Sequence, residues 1–149
     1  MSETLRVKAI ELVDDAGNPR GFLGIDEANH VGLVLRDSKG TARIGLGFTD
    51  KEEEASLALR DSEGRDVVVA FVDREGAGSV LLNDNRGVRR IVLQIDSEGG
   101  VHMGFYVSET KAPLMFKLDR DGIYEGSFDD PVCFEKPKMT LVYSEKKNR

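Results

Sequence analysis

The chain contains no tryptophan, one cysteine, two histidines and three tyrosines. Each shortage narrows what the molecule can be. A single cysteine, Cys133, permits no internal disulfide, supplies no zinc ligand set and fits a reducing compartment. His30 and His102 stand at no metal-ligand spacing such as His-Glu-x-x-His. No Gly-x-Ser-x-Gly elbow is present, so nucleophilic hydrolysis has no support in the sequence. Gly45-Leu46-Gly47 and Gly76-Ala77-Gly78 echo phosphate loops weakly, because neither is followed by the helix pattern that builds an anion site. Positive charge is short as well: the formal net charge is −6, which argues against a nucleic-acid or acidic-membrane partner. No stretch approaches the ~18 apolar residues of a membrane helix. The first residues carry no apolar run of a secretory signal. A cytoplasmic protein without a membrane or nucleic-acid partner is therefore predicted, with no catalytic residue, cofactor or metal ligand assigned.

What the chain does have is a recurring aspartate, at Asp14, Asp26, Asp37, Asp50, Asp61, Asp73, Asp84, Asp96, Asp119 and Asp130. The steps are 11 to 13 residues, with one double step across Val107. Glycine follows three places later at Gly17, Gly40, Gly64, Gly76, Gly87, Gly99 and Gly122. Asp-x-x-Gly is the chemistry of a type I turn closed by a G1 bulge: aspartate caps the turn's amides, and glycine accepts the positive φ. Between turns, apolar and other residues alternate, as in Ile10/Leu12, Leu33/Leu35, Ile44/Leu46/Phe48 and Ile91/Leu93/Ile95. The one-residue shift at Ile44/Leu46/Phe48, in the 13-residue step, reads as an inserted bulge residue.

This pattern predicts an all-β protein, an antiparallel meander of about six tandem β-hairpin repeats of ~23 residues each. The chain reads as one domain, residues 1–149, with repeats over 8–129 and an atypical capping segment at 130–149. Each strand presents one consistently apolar face, which a flat single sheet would leave wet. Three arrangements cover it: sheets of several chains packed as a prism-like homo-oligomer, with a trimer favoured; a β-trefoil-like barrel; or a sandwich. The unbroken beat favours the first. The second face carries Gly32/Val34, Ser56/Ala58, Ser79/Leu81 and Gly104 on the odd strands, and Gly21, Gly24, Gly45 and Gly47 add small residues on the even strands.

The unit Leu-x-Leu-x-Asp-x-x-Gly-x-x-Arg-x-x-Leu, carried here with Arg20, Arg43 and Arg90, resembles tandem repeats of uncharacterised bacterial and phage-associated proteins. The resemblance spans residues 8–122. It implies a stalk or interaction segment, structure more than activity, and no catalytic positions. The YD repeats of toxin shells differ: Arg36-Asp37, Arg60-Asp61 and Asn83-Asp84 stand where they have Tyr-Asp.

Two places invite chemistry. The acidic turns Asp73-Arg74-Glu75-Gly76, Asp96-Ser97-Glu98-Gly99 and Asp119-Arg120-Asp121-Gly122 gather carboxylates, but glycine is fourth rather than sixth and no distal glutamate follows, so turn capping is the better reading than calcium. The fifth repeat replaces its turn with residues 107–113 and places His102, Tyr106 and Met115 on the face that elsewhere carries Gly, Ser and Ala. These three are the candidate partner or ligand patch, against simple decay at the end of an array. The function expected is a non-enzymatic structural or assembly role through oligomerisation and contact with an unidentified protein partner. The alternative is a ligand-binding module for carbohydrate, which the absence of tryptophan weakens.

Overall fold

The computed structural model describes residues 6–27, 29–49, 51, 53–108, 114–118 and 124–127, the last four as backbone only. Within them the chain forms eleven strands: β1 (Ala9–Val13), β2 (Pro19–Ile25), β3 (Val31–Arg36), β4 (Ala42–Thr49), β5 (Glu54–Arg60), β6 (Asp66–Val72), β7 (Gly78–Asn83), β8 (Arg89–Ile95), β9 (Val101–Phe105), β10 (Leu114–Leu118) and β11 (Tyr124–Ser127). They make one antiparallel sheet in strictly sequential order, β1 to β11. No helix occurs among the described residues. The protein is thus the all-β hairpin meander that the alternation predicts. The proposed cap at 130–149 lies outside the described residues.

Backbone neighbours link only strands consecutive in the chain, and β1 pairs with β2 alone. The trefoil-like barrel would need distant strands to pair, and no such pairing exists among the described residues. Turn chemistry explains the connectivity. At Asp37 the Gly40 amide donates to the Asp37 carbonyl at 3.0 Å, Gly40 takes φ 83°, and the Asp37 amide donates to the Thr41 carbonyl at 2.9 Å. The ladder shifts register at Leu35/Arg36, which is the expected G1 bulge. Asn29 fills the glycine position after Asp26, at φ 67°, in keeping with the tolerance of asparagine for the left-handed region.

The 13-residue step resolves differently from the sequence reading. The β4–β5 ladder runs from Ile44↔Leu59 to Thr49↔Glu54 without a shift. The extra residue sits in the loop after β4, where Glu53 takes φ 52°, and not in a strand bulge. A second correction concerns Gly21. It pairs with Leu12 and Leu35 on the apolar face, where a Cβ would meet their side chains at 3.0 and 3.2 Å. It therefore makes room for leucines on the first face rather than thinning the second.

Candidate functional site

Register builds the most conspicuous surface of the molecule. One ladder runs Ile10, Leu23, Leu33, Leu46, Leu57, Ala70, Val80, Leu93, Met103, Phe116, each residue paired with the next across ten strands. A second ladder on the same face passes through Leu35, Ile44, Leu59, Val68, Leu82, Ile91 and Phe105. A third passes through Val31, Phe48, Ala55, Val72, Gly78, Ile95, Val101 and Leu118. Cross-strand apolar neighbours of this kind are the unit of sheet stabilisation. Yet among the described residues nothing covers them. Leu46 is 52% exposed, Ile95 55% and Leu23 49%. Apart from glycines, only Ala77 and Ser79 are buried among the described residues. Where Ala55, Ala70 and Gly78 replace larger residues, the face dips into an apolar hollow of about 630 Å³.

The second face is less bare than its glycines suggest. Its central ladder includes Phe22, Val34, Val69, Leu81 and Val92, all half-buried. Longer side chains lie over the glycines there: the Phe22 ring reaches within 2.8 Å of where a Gly24 Cβ would stand, and the Arg60 guanidinium within 3.3 Å of the corresponding point at Gly45.

The turns along the two long edges are held by charge. Every described turn aspartate except Asp73 pairs with a basic side chain, and the sixth residue after the aspartate recurs in that role. Arg43 Nη1 meets Asp37 Oδ2 at 3.3 Å while its Nε donates to the Arg60 carbonyl at 2.9 Å, the strand end before the next turn on that edge. Arg20 does the same between Asp14 and the Arg36 carbonyl, and Arg90 between Asp84 and the Tyr106 and Val107 carbonyls. At the third such place Val67 stands instead. There Arg65 takes Asp61 at 2.8 Å, and the Asn83 side-chain amide donates to the Asp66 carbonyl. The recurrent arginine is therefore a staple that ties the Asp14, Asp37 and Asp84 turns to the next repeat.

These contacts depress the aspartate pKa values. The Arg65 guanidinium, with amides of its own turn, holds Asp61 below the usual carboxylate range. Partial desolvation opposes ionisation of Asp84, but the Arg86 amide, the Arg90 guanidinium and the Val88 amide outweigh it and place its pKa far below that range. Asp96 is lowered first by His102 and then by the Gly100 amide.

The candidate patch comes together on the second face, since Met115 pairs with Gly104 and His102 with Lys117. Its members already have intrachain contacts. His102 Nε2 lies 2.9 Å from Asp96 Oδ2, and the Tyr106 ring covers Gly104, its Cε2 2.8 Å from where a Cβ would stand. Met115 is 37% exposed. Residues 109–113 of the replaced turn, and the turn at Asp119, lie outside the described residues. Among the described residues no group of three or more His, Cys, Asp or Glu is placed to hold a metal ion. Among the described residues there is no helix long and apolar enough to cross a membrane. No protein-family model and no curated protein matches the sequence.

Proposed function

We propose that the protein is a non-enzymatic assembly element, a cytoplasmic homo-oligomer whose chains bury their apolar sheet faces against one another, with a three-sided prism as the favoured form. The single observation behind this reading is the uncovered face of three continuous apolar ladders. Ladders of ten, seven and eight strands at the usual spacings make a face on the order of 800 Å² in area. A stable interface takes roughly 800 Å² from each partner. The described residues of a single chain bury almost no core of their own, which couples folding to assembly. About six hairpin repeats build the wall, and the charged turns line its two long edges.

The carbohydrate-binding alternative gains no specific support, because the contacts of His102 and Tyr106 are accounted for within the sheet. The experiment is a solution mass across protomer concentration. Assembly that dissociates together with unfolding supports the reading, and a stable folded monomer overturns it.

A further inference from the structure

This inference rests on the assembly just described and concerns how its copies meet. We propose that adjacent copies dock edge to edge, the basic edge of one sheet lying against the acidic edge of the next, so that all chains run in the same direction around a closed ring.

The two long edges of the sheet differ in charge. The first carries the turns after β1, β3, β5 and β7, at residues 13–20, 36–43, 60–67 and 83–90. These segments hold nine Arg or Lys against seven Asp or Glu. The second carries the turns after β2, β4, β6 and β8, at residues 26–30, 49–54, 73–77 and 96–100. Its described residues hold eight Asp or Glu against two Arg or Lys. Arg6 and Lys8 add cations only where the chain enters β1. One turn position displays the difference directly: two residues after the aspartate stand Lys39 and Arg86 on the first edge, but Glu75 and Glu98 on the second. Glu63, the exception on the first edge, is paired with Arg65 at 2.7 Å.

Local pairing leaves complementary residues facing outward. On the first edge the carboxylates of Asp37, Asp61 and Asp84 are engaged by Arg43, Arg65 and Arg90, and Arg86, 3.5 Å from Asp84, remains 72% exposed along its side chain. On the second edge, neither Glu75 nor Glu98 takes part in an ion pair among the described residues.

Symmetry then chooses the arrangement. When apolar faces turn inward around an axis parallel to the direction in which strands stack, each first edge meets the neighbour's second edge, whatever the number of copies. A twofold axis along the strands would also bury the apolar faces, but it would set acidic edge on acidic edge. Juxtaposed like charge disfavours such a pairing.

Charge reversal at that shared turn position tests this, because the position accepts either sign in this chain. Two double variants, Lys39→Glu with Arg86→Glu and Glu75→Lys with Glu98→Lys, are compared with the fourfold variant that combines them. The readout is the protomer concentration of half-assembly, by sedimentation at low salt, with circular dichroism as the check on folding. Each double variant is expected to raise that concentration about tenfold, and the fourfold variant to return close to wild type. Unchanged double variants, or a fourfold variant weakened by both effects together, overturn the edge pairing while leaving the assembly in place. If a double variant does not fold, wild-type protein decides: a half-assembly concentration that rises with added salt supports the pairing, and one that stays constant or falls overturns it. Wild-type protein that is monomeric at every concentration removes the assembly itself.

Discussion

Leu46→Ala separates an open face from a covered one by magnitude. In the isolated chain Leu46 is 52% exposed, so only about half of its side chain is shielded from water. Burying a leucine fully stabilises by roughly 1.5–3 kcal/mol, so truncation in a lone sheet should cost about 1 kcal/mol. If a second copy covers the face, the site becomes a packed interior, where Leu→Ala costs about 2–5 kcal/mol per protomer. Leu46 pairs with Leu33 and Leu57 on either side, so its replacement leaves a gap in a continuous row rather than at a margin. The assay is urea unfolding followed by circular dichroism at several protomer concentrations. In an assembly the midpoint rises with concentration, and the Leu46→Ala loss falls in the larger range. A loss near 1 kcal/mol, with midpoints independent of concentration, would refute the reasoning.

Other perturbations probe the repeat itself. Gly40→Val should lower Tm, because φ 83° is strained for a β-branched residue, whereas Asn29→Gly should be close to neutral; thermal melts compare the two. Arg43→Lys should also lower Tm, since a lysine has no planar fork to reach both Asp37 and the Arg60 carbonyl, and a melt equal to wild type would deny the staple a structural role. Acid should unfold the protein. The turn carboxyls have lower pKa values folded than unfolded, so their stabilisation is complete above the unfolded value near ~3.9 and is lost as pH falls through the folded values. Asp84→Asn should remove part of that dependence, which an acid titration of ellipticity would read as a shallower loss of stability.

Much of this architecture was legible because it is local. Asp-x-x-Gly fixes a turn through the aspartate's own neighbouring amides, and period-two alternation fixes which residues share a face, so Leu33, Leu46 and Leu57 could be aligned without coordinates. The errors came where a tertiary detail decides. Counting back along β2 from Ile25 through Leu23 puts Gly21 on the apolar face, whereas its small size alone groups it with the glycines of the other. The extra residue after β4 satisfies the beat whether it enters a strand or a loop, and only the uninterrupted β4–β5 register distinguishes them. The recurrent arginine was visible as a repeat, yet its acceptors, the Arg36 and Arg60 carbonyls, lie sixteen or seventeen residues away across the sheet. The place of Val69 in the half-buried second-face row is hidden because β6 is apolar at nearly every position, which carries no alternation signal. The charge difference between edges needed only that alternate turns be counted separately.

The central claim is that the apolar face is buried between chains, and light scattering on a sizing column tests it most directly. The account predicts a solution mass near three times the 16.4 kDa of the chain, retained until the protein unfolds. A folded species at the mass of one chain would contradict it, because the three apolar ladders of the described strands would then stand open to water in a stable protein.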